Sequence, residues 1–246
     1  NRLKKVESNT KPEFIFGHSC QAISVVAGAE SSAFAVPLAA RIHEGLIFTN
    51  RDRRTQPRKL ISLLEDLGIG EKVTLVADAY YACRTVGRGL LASGSHLVSR
   101  VRINEVAFRE PRPRRKGPGR PQKYGGKVRL RGLLEGNGHW KWHEAESPVY
   151  GERGLKLRYR VADLIWRPLS QKVRFVAVHH PVRGKIILLA TDLAMDPLEV
   201  IRLYGIRFKI ELSFKQALRV LGAYTYHFWM RAMKPLSHRG RSGDRH

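Results

Sequence analysis

The segment from Pro197 to Leu221 constrains the fold of this chain more than any other part of the sequence. Side chains of a helix recur at about 100° per residue, and at that period the segment has two apolar stripes and two polar ones. The apolar stripes are Leu203, Ile206, Ile210, Phe214 and Ala217, and Ile201, Phe208 and Leu212. The polar stripes are Arg202, Lys209, Ser213 and Gln216, and Tyr204, Arg207, Glu211 and Lys215. We predict one long helix whose Tyr204 stripe, with apolar neighbours on both edges, lines a cleft cut into the core.

Glu211 is the carboxylate of this inner stripe. A carboxylate in an apolar cleft is costly unless it is paired or bound to a cation. One interpretation of Glu211 is therefore a metal ligand. The other is an ion-pair ladder of Arg207, Glu211 and Lys215 at i, i+4 spacing, which contributes roughly 0.2–0.5 kcal/mol per pair.

A second carboxylate, Asp78, follows the apolar run Val73–Ala77, which predicts a short buried strand. An Asp between a strand and a helix is often an N-cap or turn residue. In open α/β sheets, however, sites gather at the carboxyl ends of strands. Two cleft carboxylates without soft ligands suit Mg²⁺ or Mn²⁺, and such a pair is typical of two-metal phosphodiester cleavage.

The charge balance points to a polyanionic partner. The chain has 45 Lys and Arg against 21 Asp and Glu, a formal charge of +24, and basic proteins gain affinity for nucleic acids by displacing counterions from phosphates. Composition alone also fits a ribosomal-type RNA-binding protein. Cys20 and Cys83 have neither disulfide nor zinc spacing, and no apolar run approaches the ~20 residues of a membrane span. We therefore expect a cytoplasmic, nucleoid-associated protein with no membrane segment.

Local patterns divide the chain into predicted elements. We predict a hairpin of Gln21–Ala29 and Ala33–Ile42, helices over Thr55–Leu67 and Tyr81–Ala92, and strands over His96–Val101 and Ile186–Ala190. Residues 104–182 differ from the flanking segments, because they consist of short β-like runs that are interrupted by Gly, Pro and charged residues. We interpret them as a β-rich insertion between a first core part, residues 1–103, and a last core part, residues 183–246.

Two motifs resemble a known family. Tyr204-x-x-Arg207-x-x-x-Glu211 resembles the Y-(2)-R-(3)-E-(6)-K signature of IS4-like bacterial insertion-sequence transposases, and Val73-Thr-Leu-Val-Ala-Asp78 resembles their strand with the second catalytic aspartate. The resemblance extends to Gly17-His18-Ser19, Gly119-Arg120-Pro121 and Tyr226-His227-Phe228-Trp229, and so covers nearly the whole chain. It implies an RNase H-like α/β core with a β-rich insertion.

The resemblance also implies a function. Asp78 and Glu211 would be catalytic ligands of Mg²⁺ or Mn²⁺ in a DDE triad, and Tyr204 and Arg207 would contact DNA near the scissile phosphate. The signature lysine is replaced, since Leu218 stands seven residues after Glu211, so we assign its phosphate contact to Lys215, with Arg219 as a second candidate. The expected activity is DNA cleavage and strand transfer at transposon ends, with double-stranded DNA as partner and a homodimer on DNA. The alternatives are a basic nucleic-acid-binding protein without catalysis, including an inactive transposase remnant, and another RNase H-fold nuclease.

The family's first aspartate lies on a strand before the hairpin, which does not fit into Asn1–Pro12. We expect that strand upstream of Asn1, with Asp52 as the nearby substitute, and we expect residues 1–246 alone to be inactive. A basic stretch, Arg112–Lys123, would bind the DNA backbone through Arg114, Arg115, Lys116 and Arg120, although a solvated loop is the alternative. Trp140, Trp142 and Trp166 would stack on a displaced base or form the core of the insertion.

Overall fold

The computed structural model describes residues 2–3, 15–16, 19–28, 33–43, 52–111, 121–135 and 140–220, which form a mixed α/β fold. The strands are β1 Arg2–Leu3, β2 Ile15–Phe16, β3 Ser19–Ala27, β4 Phe34–His43, β5 Thr74–Ala77, β6 His96–Val101, β7 Val106–Phe108, β8 Lys127–Arg129, β9 His143–Glu146, β10 Lys156–Trp166, β11 Gln171–His180 and β12 Gly184–Ala190. The helices are α1 Gln56–Asp66, α2 Arg84–Ala92, α3 Pro197–Ile206 and α4 Lys209–Val220. Short 3₁₀ turns cover Ala79–Tyr81 and Leu130–Leu133.

An eight-stranded mixed sheet forms the centre, in the order β5-β6-β12-β11-β10-β7-β8, with β9 paired to β10. β5 and β6 are parallel, and every other neighbouring pair in this sheet is antiparallel. A parallel pair needs a crossover connection, and α2 supplies it between β5 and β6. The long β10–β11 hairpin extends from Lys156 to His180, so the strands of residues 104–182 pair into the same sheet as β5, β6 and β12.

Local signals account for the ends of the helices. Thr55 caps α1 by accepting a hydrogen bond from the Arg58 amide, and Gly68 follows that helix at φ 59°, a conformation that glycine adopts without strain. Asp196 caps α3 by accepting bonds from the amides of Leu198 and Glu199. The helix predicted over Thr55–Leu67 is confirmed to within one residue at each end, and so is the helix start at Pro197.

Helices cover both faces of the sheet. On one face, α1 packs with Leu60 and α2 packs with Val86 against the same core. That core includes Leu97, Trp166 and Phe175 of the sheet. On the other face, α3 packs with Val200 and Ile201 against a second core. The central strands β11 and β12 are therefore buried on both sides and consist of nearly continuous apolar residues.

The predicted hairpin is confirmed as β3 and β4, which form a separate two-stranded sheet. Side-chain hydrogen bonds attach it to the rest of the molecule. Gln21 Nε2 donates to the carbonyl oxygen of Gln56 in α1 and to the hydroxyl of Tyr81, at 2.9 Å each. Ser213 Oγ in α4 donates to the carbonyl oxygen of Ala35 at 2.8 Å. Helices α1 and α4 thus hold the hairpin beside the main sheet.

Two sequence expectations were wrong. The segment 197–221 is not one helix, because a turn at Arg207 and Phe208 separates α3 from α4. Beyond the turn, the apolar residues Leu212 and Phe214 are 43% and 39% exposed, so neither apolar stripe continues into the core. β5 is not a buried strand, because it lies at the edge of the sheet and only Ala77 is buried.

Among the residues that the structure describes, none of the helices combines the length and the apolarity that crossing a membrane requires.

Candidate functional site

A cavity of about 990 Å³ lies between the β3–β4 hairpin and the edge of the main sheet. Consecutive residues of β3 line one side and consecutive residues from Val73 to Asp78 line the other. Leu60 and Leu64 of α1 and Leu203 and Ile206 of α3 also contribute to its lining. The cavity is therefore a mostly apolar slot between two strands, and its walls include helices from opposite faces of the sheet.

Both strands that border the slot have unpaired edges. Within the described residues, β3 pairs only with β4 and β5 pairs only with β6. Val25 and Val26 are 45% and 47% exposed, and the buried Ser24 hydroxyl has no hydrogen-bond partner in the part of the chain that the structure describes. An added strand would form hydrogen bonds with such open edges and would bury the exposed apolar side chains beside them.

Asp78 is the first residue after β5 and lines this slot. It is exposed, and its Oδ1 accepts a hydrogen bond from the Ala79 amide at 2.6 Å as the cap of the following 3₁₀ turn. The Ser99 hydroxyl donates to the carbonyl oxygens of Ala77 and Asp78, at 3.0 Å each. Ser99 of β6 thereby fixes the end of β5, while one oxygen of the Asp78 carboxylate caps the turn.

Tyr204 and Arg207 belong to the same neighbourhood. Burial raises the pKa of the Tyr204 hydroxyl, Arg207 and Arg100 lower it, and the charge of Asp78 raises it. The Arg207 guanidinium lies 5.8 Å from the centre of the Tyr204 ring, and Arg207 lines the slot together with Asp78. The structure thus brings Asp78, Tyr204 and Arg207 together.

Glu211 is connected to this group through Arg207. Arg207 Nη2 lies 2.9 Å from Glu211 Oε1, and the side chains are 27% and 62% exposed. Glu211 does not line the slot, and Lys215, one turn further, is exposed. The inner polar stripe therefore enters the slot at Arg207, whereas Glu211 and Lys215 face solvent.

The remaining predicted residues fall into two groups. Arg114, Arg115, Lys116 and Arg120 lie outside the described residues, and so do the segment Tyr226–Trp229 and the side chain of Arg219. Asp52 forms ion pairs with Arg54 and Lys59, and the hydrogen bonds from Arg54 hold the pKa of its carboxyl well below the ordinary value. These ion pairs give Asp52 a structural role in the segment before α1.

The three tryptophans divide between core and surface. Trp166 is 1% exposed and belongs to the main core, so it cannot stack on a base without unfolding. Trp140 is half-buried against the same core. Trp142 is also half-buried, and the guanidinium groups of Arg160 and Arg158 lie 4.1 and 5.2 Å from the centre of its ring. Trp142 is therefore stacked on arginines.

Arg100 is a site residue that the sequence patterns did not reveal. The parallel register pairs Ala77 with Ser99, so Asp78 and Arg100 follow at neighbouring strand ends. The guanidinium of Arg100 is one of the charges that act on Tyr204. In the sequence, Arg100 stands out only as a charged residue in the apolar run His96–Val101. Its proximity to the end of β5 follows only from the register of β5 with β6.

The donor set can be compared with what a divalent ion needs. The described residues contain no group of three or more His, Cys, Asp or Glu side chains arranged to hold a metal. Asp78 and Glu211 offer oxygen ligands, which Mg²⁺ and Mn²⁺ prefer, and Arg207 and Arg100 supply positive charge for a phosphate. The arrangement suits a phosphodiester substrate with a hard cation, once a further carboxylate is added.

Neither a protein-family model nor a curated protein matches this chain.

Proposed function

We propose that this chain is the catalytic domain of an IS4-like DDE transposase with an RNase H-like core, which cleaves DNA at transposon ends and transfers the strand to a target. The observation that carries the proposal is the position of Asp78 at the carboxyl end of β5, beside a slot that it shares with Arg207. Glu211 forms an ion pair with Arg207, and the Tyr204 ring lies beside the Arg207 guanidinium. The four residues of the two motifs therefore lie in one neighbourhood.

The slot between β3 and β5 suggests where the third carboxylate of the triad would lie. Neighbouring strands lie about 4.8 Å apart, so one strand inserted between β3 and β5 would pair with the two edges that are unpaired within the described residues. Its carboxyl-end residues would lie beside Asp78 if it ran parallel to β5. We propose that the first aspartate of the triad lies on such a strand, encoded before Asn1.

Each chain residue would then have a defined task. Asp78, Glu211 and the added aspartate would hold Mg²⁺ or Mn²⁺, which supplies activation of the attacking oxygen and stabilisation of the leaving oxygen. Glu211 would exchange its ion pair with Arg207 for the cation, and the freed Arg207 would contact the phosphate. Tyr204 is half-buried beside Arg207, and burial raises the pKa of its hydroxyl, so it would donate a hydrogen bond to a phosphate oxygen. Water would attack the phosphodiester at the transposon end and release its 3′-hydroxyl. That hydroxyl would then attack a phosphodiester of the target, whose own 3′-oxygen leaves as a hydroxyl.

The test is cleavage of a labelled transposon-end duplex in Mn²⁺ or Mg²⁺ by the chain extended with the upstream coding sequence. Asp78→Asn and Glu211→Gln should each lower the cleavage rate by roughly 100-fold or more, because a direct metal ligand is lost. Glu135→Gln is the matched control, since Glu135 forms an exposed i, i+4 ion pair with Arg131 as Glu211 does with Arg207. Full cleavage by the Glu211→Gln protein would overturn the proposal.

The Arg207–Glu211 ion pair also favours a second function. An exposed pair of this kind is what a non-catalytic DNA-binding protein or an inactive remnant would have at these positions, because it needs no metal. In that case the extended protein would bind the duplex without cutting it under any divalent ion. Cleavage without joining of the 3′ end to target DNA would instead indicate an RNase H-fold nuclease.

A further inference from the structure

A second cavity, of about 820 Å³, lies where α2, the β7–β8 pair and the β10–β11 turn meet. Its basic lining consists of Arg84, Arg88, Lys123, Lys127 and Arg167. Glu105 is the one acidic residue, and Val106, Phe108, Pro168 and Ser170 complete the lining. None of these residues lines the Asp78 slot, so the basic cavity is a separate feature.

The five cations of the basic cavity face a single acidic residue, Glu105, in its lining. Within the described residues, none of the five forms an ion pair, although other basic side chains do so, such as Arg174 with Asp163 and Arg202 with Glu199. Holding like charges in one concave site costs free energy unless a counterion is present. Arg84 adds to the cost because it is the first residue of α2, where the helix dipole favours an anion.

Close packing holds the walls of the basic cavity in place. A Cβ at Gly87 of α2 would lie 2.8 Å from the Leu169 side chain, so α2 sits directly on the β10–β11 turn. The hydroxyls of Tyr124 and Ser170 are 3.0 Å apart, and the Phe108 and Tyr124 rings are 5.0 Å apart. Ser170 has a φ of 59°, the one positive value among the described non-glycine residues. The cavity is thus formed before any ligand binds.

We propose that the basic cavity binds phosphates of a duplex DNA backbone, as a contact surface separate from the Asp78 slot. Arginine and lysine are the side chains that bind phosphates, and three separate parts of the fold present them around an open cavity. Lys123 is also the last residue of the basic stretch Arg112–Lys123, for which binding of the DNA backbone is one of the two interpretations of the sequence. A backbone contact of this kind sets register and affinity without reading base sequence.

The experiment measures binding of a fluorescent duplex by anisotropy over a range of salt concentrations. The test protein is Arg84→Gln/Arg88→Gln/Arg167→Gln, in which all three residues are exposed. The matched control is Arg153→Gln/Lys156→Gln/Lys185→Gln, which removes the same charge from exposed positions elsewhere. We expect the test protein to lose about two to three units of slope in log K against log salt, since each phosphate contact contributes close to one unit. The control should keep the slope of the unchanged chain.

Two results would overturn the proposal. Equal losses in both triple variants would indicate a general effect of net charge. A test protein that keeps duplex binding but no longer binds inorganic pyrophosphate, measured by calorimetry, would assign the cavity to small anions. Because neither measurement involves cleavage, the result does not depend on whether the proposed transposase activity is found. Circular dichroism of both variants serves to exclude unfolding.

Discussion

Arg207 and Glu211 form an ion pair across one helical turn, with 2.9 Å between Nη2 and Oε1. Glu211 remains 62% exposed, and exposed i, i+4 pairs stabilise proteins little because water and salt screen them. Glu211 therefore has a weak partner that a cation could replace.

We predict that a double-mutant cycle of Arg207→Ala and Glu211→Ala will give a coupling free energy of about 0.5 kcal/mol or less. The measurement is urea unfolding of the unchanged chain, the two single variants and the double variant. The Arg131–Glu135 pair, treated in the same way, is the control. A coupling free energy above about 1 kcal/mol would mean that the Arg207–Glu211 pair stabilises the fold. That result would argue against the proposed role of Glu211 as a metal ligand.

Glu152 is a partly buried carboxylate, with its side chain 11% exposed, that joins two loops. Ser147 Oγ donates to Oε2 at 2.5 Å, His180 Nε2 donates to Oε2 at 2.7 Å, and Arg183 Nε donates to Oε1 at 2.8 Å. His180 Nδ1 accepts from the amides of Val182 and Arg183, which assigns the proton of the neutral ring to Nε2. Burial raises the pKa of Glu152, but the three hydrogen bonds outweigh it and the pKa lies below its ordinary value.

This lowered pKa gives a pH-dependent stability with a definite sign. A carboxyl with a lower pKa in the folded state stabilises the protein above its unfolded pKa of about 4.3, and the contribution is lost as pH falls through the folded pKa. We expect Glu152→Gln to lower the free energy of unfolding at pH 7 by about 1–3 kcal/mol and to flatten its decline below about pH 4.3. Urea unfolding from pH 7 to pH 3 measures both effects. Glu135→Gln, at an exposed site, should keep the decline unchanged.

Local chemistry explains which elements could be predicted from sequence. Thr55 and Asp196 start their helices through their own side-chain hydrogen bonds, so a few neighbouring residues suffice. The break at Arg207 and Phe208 has no Gly or Pro at the turn itself. It follows Gly205, where a Cβ would lie 3.0 Å from the Val149 side chain. That contact between distant parts of the chain is invisible in a helical pattern.

Only part of the candidate site could be predicted from the sequence. Asp78 and Arg207 could be found from a strand end and a helix stripe, and both line the slot. The exposure of Glu211 depends on the break before α4, and the position of Arg100 depends on the register of β5 with β6. The basic cavity combines residues 84 to 170 of the sequence, so only tertiary structure assembles it.

Gly125 gives a direct test of the packing beside the basic cavity. A Cβ at Gly125 would lie 2.2 Å from the carbonyl oxygen of Glu110, whereas at Gly126 the nearest atom is 4.0 Å away. The obstructing atom belongs to the backbone, so a rotamer change cannot relieve the clash. We expect Gly125→Ala to destabilise the fold by about 1–3 kcal/mol, while Gly126→Ala stays within about 0.5 kcal/mol. Thermal unfolding of both variants is the measurement, and equal stability of the two would show that the contact between Glu110 and Gly125 is looser than described.

The last prediction concerns residues 1–246 without any upstream sequence, which should bind DNA but not cut it. Two-metal catalysis requires enough negative charge to hold two divalent ions, and Mg²⁺ gives up its water reluctantly. Asp78 and Glu211 provide two carboxylates, and Glu211 is already engaged with Arg207. The proposed phosphate contacts of Lys215 and the basic stretch need no metal, so binding should persist. Adding the proposed upstream strand should fill the slot between β3 and β5, protect the β5 amides from hydrogen exchange and bring metal-dependent nicking, which Glu211→Gln should abolish again. Efficient nicking by residues 1–246 alone would show instead that the third carboxylate lies within this chain.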